Sequence, residues 1–182
     1  NISSVKNALS RLGYESIITD DSKEILNADK VIFPGVGEAS SAMKYLNERN
    51  LDKTILSIKK PMLGICLGQQ LMCSYSEEGS TQCLGIFNTK VKKFPKTKLV
   101  PHMGWNNFSK VKGELFNGLE NTNNVYFVHS YYAEINEQTT AVCDYIKPFS
   151  AAMQRDNFYA TQFHPEKSAD IGEKILKNFL NL

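Results

Sequence analysis

The sequence has few of the residues that form metal sites and disulfide frameworks. Its 182 residues include four cysteines and three histidines. No two cysteines stand in the C-x-x-C spacing that metal sites and redox motifs use. A chain of this length also buries a full core without crosslinks. The composition therefore predicts no metal, no cofactor and no disulfide scaffold, and it favours a reducing, cytoplasmic setting.

An excess of one charge sign and long apolar runs are missing as well. The chain carries 21 Lys and Arg against 19 Asp and Glu, a net charge of +2. This balance predicts neither a nucleic-acid partner nor an anionic membrane surface. No apolar run reaches the roughly 20 residues of a membrane-spanning helix, and no signal peptide is visible. We interpret residues 1–182 as a single globular domain.

The most informative segment of the sequence surrounds Cys66. Residues 62–65 form a short apolar run, and Gly64 and Gly68 flank the cysteine at two positions before and after it. The apolar residues beyond it recur at helical spacing, which predicts a helix to about Ser76. A strand, a tight turn with a thiol and a helix make a nucleophile elbow with Cys in place of Ser, and a helix N-terminus stabilises a thiolate. A buried structural cysteine is the alternative.

The first half of the chain alternates between short apolar strands and helices. The predicted strands are Glu15–Thr19, Lys30–Phe33 and 62–65, and the predicted helices are one from Ser3 or Ser4 to Gly13, Ser22–Ala28, Ala39–Arg49 and Leu51–Ile58. This alternation is typical of an α/β domain with a mainly parallel sheet. Active sites of such sheets lie at the carboxyl ends of strands, where both Cys66 and the loop Pro34–Gly37 fall.

The second half is richer in strands. The predicted strands are Ile86–Phe94, Val125–Val128, Thr140–Tyr145, Ala151–Gln154 and Phe158–Phe163, and a helix from about Asp170 closes the chain. Few helices separate these strands, which indicates antiparallel additions to the sheet. We therefore predict a three-layer α/β sandwich around a mostly parallel sheet.

A cysteine nucleophile needs a base, and three histidines are available. His164 precedes a proline, which favours an extended backbone and places Glu166 on the same side of the chain. The carboxylate would then hold one imidazole nitrogen while the other faces the thiol of Cys66. We expect His102 to be structural or interfacial and His129 to lie near the site without acting as the base. The alternative is a strand-end histidine beside a surface glutamate.

Acyl transfer also needs donors for the developing oxyanion, each of which contributes about 3 kcal/mol. The loop P-G-V-G at 34–37 follows a predicted strand, and its glycines can expose backbone N–H groups. Gly37 and Leu67, the residue directly after the nucleophile, are the candidate donors. A plain surface loop is the alternative at 34–37.

Three motifs together resemble those of the class I (triad-type) glutamine amidotransferases: P-G-V-G at 34–37, G-I-C-L-G-Q-Q-L at 64–71 and Q-F-H-P-E-K-S at 162–168. P-H-M-G-W-N at 101–106 and Y-F-V-H-S-Y at 126–131 are similar to the glutaminase subunits of imidazole glycerol phosphate synthase within that family. The resemblance covers essentially the whole chain. It implies a strand and a glycine-rich turn before the first helix, which this sequence lacks and which we expect in the native protein.

The resemblance implies hydrolysis of glutamine to glutamate and ammonia. Cys66 would form a thioester, His164 would transfer protons, Glu166 would orient the imidazole, and Gly37 and Leu67 would stabilise the oxyanion.

The resemblance also implies the residues that bind substrate. Gln70, Ser130 and Tyr131 match family positions that hold the amino-acid end of glutamine, a task that an amide, a hydroxyl and a phenol suit. Ordinary packing is the alternative for each of them.

A partner is implied as well, a (β/α)8-barrel cyclase subunit that forms a heterodimer with the glutaminase and consumes its ammonia in histidine biosynthesis. Met103 and Trp105 would suit the interface, because Met and aromatic residues are enriched there. Lys167 would reach a carboxylate of the partner. For Trp105 the alternative is burial in the core.

Three other functions remain open from the residues alone. One is a glutaminase that feeds another synthase, such as one that makes an amino sugar. The second is a cysteine hydrolase of γ-glutamyl peptides, and the third is a scaffold without activity. The residues Cys66, His164 and Glu166 argue against the scaffold, because loss of function would be expected to change at least one of them.

Overall fold

The computed structural model describes residues 2–35 and 37–182, so Asn1 and Val36 lie outside the described residues. The helices are α1 (Ile2–Arg11), α2 (Ser22–Asn27), α3 (Ala39–Glu48), α4 (Leu51–Ser57), α5 (Leu67–Met72) and α6 (Ala169–Leu180). The strands are β1 (Val31–Pro34), β2 (Met62–Ile65), β3 (Tyr75–Ser76), β4 (Thr81–Gln82), β5 (Lys90–Lys93), β6 (His102–Asn107), β7 (Lys110–Val111), β8 (Asn124–His129), β9 (Tyr131–Ala133), β10 (Thr139–Asp144), β11 (Pro148–Arg155) and β12 (Phe158–Thr161). Short 3-10 turns occupy Glu78–Ser80, Glu114–Phe116 and Pro165–Lys167.

The main sheet has six strands in the order β1-β2-β12-β11-β10-β7. The pairs β1–β2 and β2–β12 are parallel, whereas β12–β11, β11–β10 and β10–β7 are antiparallel. The antiparallel additions therefore come from the C-terminal half, as the sequence predicts. They make three of the five described strand pairs antiparallel, so the sheet is mixed rather than mostly parallel. A four-stranded sheet, β4-β3-β5-β9, and a two-stranded sheet, β6-β8, complete the described strands.

Helices cover both faces of the main sheet and form two cores. Along β2, Leu63 packs in one core with α1 and α6, while Met62 packs in the other with α3, α4 and α5. Successive side chains of a strand point to opposite faces, so a fully buried strand is apolar at every position. None of the helices in residues 2–35 and 37–182 has the length and apolarity that crossing a membrane requires.

The predicted strand Glu15–Thr19 is wrong. Residues 14–21 are irregular, and Ile17 and Ile18 are 69% and 59% exposed. A strand forms only where a neighbour satisfies its backbone N–H and C=O groups. Within the described residues, β1 ends the main sheet and no strand pairs with this segment.

The largest of the other boundary differences lie at β5 and at the elbow helix. The predicted strand Ile86–Phe94 is reduced to β5, because Ile86 and Phe87 are buried in a turn before it. The elbow helix ends at Met72 rather than near Ser76, where β3 begins. Strand β6 was not predicted, because only its pairing with β8 makes it a strand.

Three segments meet at one edge of the main sheet because β1, β2 and β12 are neighbouring parallel strands. Pro34 ends β1, Cys66 follows β2, and Gln162 follows β12. The carboxyl ends of parallel strands form the crevice in which α/β proteins bind ligands.

Candidate active site

Cys66 lies in a strained turn between β2 and α5. Its φ of 56° and ψ of −111° are rare for a residue with a side chain, and such strain costs of order 1–3 kcal/mol. The backbone N–H of Cys66 donates to the Thr161 carbonyl oxygen at 2.8 Å, and its carbonyl accepts from Gln70 N–H at 3.3 Å. The neighbouring strand and the helix therefore hold the turn, and the partly exposed thiol sits at the helix N-terminus.

Glycines allow the backbones around this turn to touch. A Cβ on Gly68 would lie 2.0 Å from the Phe33 carbonyl oxygen, and one on Gly35 would lie 2.2 Å from Leu67 Cβ. Real Cβ atoms do not approach other heavy atoms so closely. The end of β1 and the start of α5 therefore pack directly on each other, and the P-G-V-G loop starts against the elbow.

His164 and Glu166 form a buried pair. The imidazole Nδ1 lies 2.8 Å from the Glu166 Oε1, and since a carboxylate only accepts, Nδ1 is the donor. Nε2 is buried and makes no hydrogen bond within the described residues. Burial lowers the pKa of His164, but the neighbouring Cys66 sulfur and the Glu166 carboxylate raise it, to about 9. The imidazole therefore holds its proton more strongly than a free histidine does.

The backbone of this pair is tied to strand β8. Ser168 Oγ donates to the His164 carbonyl at 2.6 Å and accepts from Tyr126 N–H at 2.9 Å, while His164 N–H donates to the Tyr126 carbonyl at 2.9 Å. A Cβ on Gly172 would lie 1.9 Å from the Pro165 carbonyl oxygen, so α6 also packs against the turn. His164 is thus positioned by contacts from two elements.

Gln162 was not among the predicted site residues, although it belongs to the Q-F-H-P-E-K-S motif. It is fully buried, and its Nε2 donates to Cys66 Sγ at 3.7 Å. Its position directly after β12 and two residues before His164 was the available signal. The side chain joins the nucleophile to Gln70, whose Nε2 donates to Gln162 Oε1 at 2.8 Å.

The proposed substrate-binding residues lie on two segments that contact each other. Gln70 Nε2 also donates to the Tyr131 carbonyl oxygen at 3.0 Å, so both of its amide protons are used within the protein. Its amide oxygen is the atom left to accept a hydrogen bond from a ligand. Ser130 and Tyr131 are partly exposed beside it. Their roles stay predictions.

The proposed oxyanion donors lie at the start of α5 and in the P-G-V-G loop. Leu67 begins α5, and Gly37 is exposed with a φ of +81°. Val36, between Gly35 and Gly37, lies outside the described residues. Donation from Gly37 and Leu67 stays a prediction.

The proposed interface residues are exposed. Strand β6 alternates, so Met103 and Trp105 face outward with 62% and 55% of their surface exposed, while His102 is buried on the other face. Burial of Trp105 in the core, the alternative from the sequence, is wrong. Lys167 is exposed beside the buried Glu166. Large exposed apolar residues on one face are typical of protein interfaces.

A family model described as glutamine amidotransferase class-I matches residues 1–182. The chain belongs to the class I glutamine amidotransferase family, which confirms the prediction of this enzyme class.

Within this family, the chain is similar to curated proteins of one kind, the imidazole glycerol phosphate synthase subunits. The imidazole glycerol phosphate synthase subunit HisH of Bacteroides fragilis (strain YCH46) is 58% identical over 185 residues, covering 100% of this chain and 94% of the relative. The protein of the same name from Haemophilus influenzae (strain Rd) is 48% identical, covering 99% of this chain and 92% of the relative. These relatives confirm the resemblance predicted from the motifs at 101–106 and 126–131.

Solved structures show the same fold. A putative GMP synthase protein from Thermoplasma acidophilum superposes with a TM-score of 0.75 at 22% identity, covering 99% of this chain and 86% of that chain. The glutaminase domain of Trypanosoma brucei CTPS has a TM-score of 0.66 at 15% identity, covering the same shares of the two chains. The predicted fold class is therefore confirmed.

Replacing Glu166 by Gln is expected to lower the pKa of His164 and to slow glutamine hydrolysis about 100-fold. The variant keeps the shape of the side chain but removes a negative charge that raises the pKa of His164 to about 9. NMR titration of the His164 ring measures the pKa, and ammonia release measures the rate. Glu173→Gln, which changes a partly exposed glutamate of α6, is the control.

The raised pKa of His164 also determines how the free energy of unfolding changes with pH. Because the pKa of His164 rises from 6.5 to about 9 on folding, its proton stabilises the folded state fully below pH 6.5. That contribution is lost as the pH rises from 6.5 to 9. Denaturant unfolding measured across this pH range should show that the free energy of unfolding falls less in Glu166→Gln than in the wild type. An equal loss in both proteins would contradict the role of the carboxylate.

Proposed function

We propose that this chain is the glutaminase subunit of an imidazole glycerol phosphate synthase. The observation that supports this most is the buried His164–Glu166 pair beside Cys66, at the carboxyl edge of the sheet. The HisH relatives, which are 46–58% identical to the chain, point to the same reaction.

The proposed reaction begins with attack of the Cys66 sulfur on the side-chain amide carbon of glutamine. The carbonyl oxygen becomes an oxyanion, which the backbone N–H groups of Gly37 and Leu67 would stabilise. The intermediate collapses when the proton on His164 passes to the leaving nitrogen, which departs as ammonia. A thioester remains, and His164 then takes a proton from water as the water attacks it. Glutamate leaves and the sulfur is restored.

Glu166 and Gln70 have supporting roles in this proposal. Glu166 keeps the proton of His164 on Nδ1 when the ring is neutral, so that Nε2 faces the reaction. The free amide oxygen of Gln70 would accept from the α-ammonium group of glutamine, with Ser130 and Tyr131 at the carboxylate. These groups can orient the ammonium and the carboxylate of glutamine without carrying a charge themselves.

The exposed face of β6 would bind the partner. Met103 and Trp105 offer an apolar patch, and Lys167 offers a cation next to the active site. We infer a heterodimer with a (β/α)8-barrel cyclase, in the cytoplasm, in which the ammonia is used for a lyase-type ring closure of histidine biosynthesis. Docking beside His164 would let ammonia pass to the partner without mixing with bulk water.

Ammonia release from glutamine, with and without the candidate cyclase and its nucleotide ligand, tests the function. We expect a large rise in rate when both are added. Equal rates with and without them would contradict the assigned partner and favour a glutaminase that feeds another synthase. Hydrolysis of γ-glutamyl peptides but not of free glutamine would support the hydrolase instead.

Replacing Trp105 by Ala is expected to weaken binding of the cyclase about 30-fold, because an interface tryptophan typically contributes about 2 kcal/mol. Calorimetric titration measures the Kd. Leu56→Ala changes an apolar residue of α4 that is 47% exposed, and it should leave the Kd unchanged. If the two variants bind equally well, the face of β6 is not the docking surface.

A further inference from the structure

The buried polar groups behind Cys66 form a chain of hydrogen bonds. Gln162 Nε2 donates to Cys66 Sγ at 3.7 Å, and Gln162 Oε1 accepts from Gln70 Nε2 at 2.8 Å. Gln70 Nε2 also donates to the Tyr131 carbonyl oxygen at 3.0 Å. Gln162 and Gln70 are 0% and 4% exposed, so these bonds take the place of bonds to water.

The Tyr131 carbonyl oxygen also joins a pair of histidines. His129 Nδ1 lies 2.7 Å from it, and His129 Nε2 lies 3.0 Å from His102 Nδ1. His102 Nε2 lies 3.4 Å from Asn106 Nδ2. The two histidines face each other because they are direct partners in the register of β6 and β8. One chain of contacts therefore runs from β6 to the nucleophile.

The chemistry of the groups determines the direction of every bond in this chain. A carbonyl oxygen only accepts, so His129 Nδ1 carries the hydrogen and, in a neutral ring, Nε2 accepts. His102 therefore donates from Nδ1 and accepts from Asn106 at Nε2. Burial lowers the pKa of His102 to about 4 and that of His129 to about 3, which keeps both rings neutral.

The orientation of Gln162 follows from the same logic. The Gln70 amide nitrogen donates to the Tyr131 carbonyl, so it faces Gln162 as a donor and requires the oxygen of Gln162 opposite it. The Gln162 N–H group is then left to face the sulfur of Cys66. A protonated thiol has another partner, the Val128 carbonyl oxygen at 3.8 Å. A thiolate can only accept hydrogen bonds, so the N–H group of Gln162 stabilises the thiolate form of Cys66.

We propose that Gln162 is a catalytic residue that stabilises the Cys66 thiolate through its amide N–H, and that His129 is a positioning residue for it. His129 acts through the carbonyl of Tyr131 and the amide of Gln70. The inference rests on the proposed function and adds a donor to the Cys-His-Glu group. It also assigns the buried histidines a part in catalysis without proton transfer.

Alkylation of Cys66 by iodoacetamide at pH 7 tests the role of Gln162 without any substrate. Gln162→Met keeps a side chain of similar length but removes the donor, and we expect about 10-fold slower alkylation, since a hydrogen bond to a charged group contributes about 1.5 kcal/mol or more. Gln69→Met removes an equally buried amide, whose Nε2 donates to the Ser150 carbonyl at 2.9 Å and does not reach the sulfur. This control should alkylate at the wild-type rate. Equal slowing in both variants would overturn the proposal.

Two replacements of His129 separate positioning from packing. His129 lies among aromatic rings, with its centroid 5.0 Å from that of Phe149. His129→Phe keeps a ring but no donor, whereas His129→Asn loses the ring and keeps an N–H at the position of Nδ1. If His129 acts by positioning, Cys66 should be alkylated faster, and kcat should be higher, in His129→Asn than in His129→Phe. The opposite order, in variants shown to be folded by circular dichroism, would overturn the positioning role.

The two readouts keep this inference distinct from the proposed function. Alkylation needs no glutamine. If Gln162→Met is alkylated more slowly and Gln69→Met is not, the hydrogen bond to the sulfur is supported, whether or not the wild type releases ammonia. Absence of ammonia release by the wild type would overturn the proposed function. If the wild type releases ammonia and Gln162→Met keeps the wild-type kcat and alkylation rate, the function stands and the role of Gln162 is overturned.

Discussion

Replacing Cys66 by Ser is expected to lower the rate of glutamine hydrolysis by about 10⁴-fold or more. A serine fits the same backbone turn, so the fold and the His164–Glu166 hydrogen bond should remain. The hydroxyl, however, is a much weaker nucleophile than a thiolate, and it leaves Glu166 as the one group of the triad that raises the pKa of His164. Ammonia release in the presence of the cyclase and its ligand measures the effect, and NMR of the His164 ring should show a lowered pKa.

A second cysteine provides the control for this prediction. Cys83 is 8% exposed, and burial raises its pKa to about 11, so its thiol stays protonated at neutral pH. Cys83→Ala should keep the wild-type rate per folded molecule. If Cys66→Ser retains more than about a tenth of the rate, the thioester mechanism is contradicted.

Replacing Gly68 by Ala is expected to remove both stability and activity. The added Cβ would lie 2.0 Å from the Phe33 carbonyl oxygen, a backbone atom that cannot rotate away. Separating β1 from α5 would disturb the turn that holds Cys66. We expect a loss of about 3 kcal/mol or more in the free energy of unfolding, which lowers Tm by roughly 10 °C.

Gly85→Ala is the matched control for Gly68→Ala. Gly85 has a φ of +69° and no atom within 4 Å of the added Cβ. The substitution therefore costs only the left-handed backbone conformation, about 1 kcal/mol. Thermal unfolding and ammonia release should place this variant near the wild type. Equal destabilisation by the two substitutions would show that the packing of Gly68 on Phe33 is not what the elbow requires.

The elbow and the His164–Glu166 pair could be predicted from the sequence because their geometry is local. Two glycines around Cys66 and a proline after His164 constrain a few neighbouring residues, and the structure has the predicted turn and hydrogen bond. The main helices follow from their apolar periodicity for the same reason.

The network behind the nucleophile could not be predicted from local pattern. The His102–His129 contact depends on the register of β6 and β8, two strands far apart in the chain. Gln162 meets Cys66 only because β12 pairs with β2. The failed strand at Glu15–Thr19 has the same cause, since a strand depends on its neighbour as much as on its own residues.

Mass spectrometry of the protein after treatment with an electrophilic analogue of glutamine, in complex with the proposed cyclase partner, shows whether Cys66 is the nucleophile. We expect one adduct per chain, on the sulfur of Cys66, and protection of that sulfur by excess glutamine. An unmodified Cys66 in a complex that still releases ammonia from glutamine would show that Cys66 is not the nucleophile.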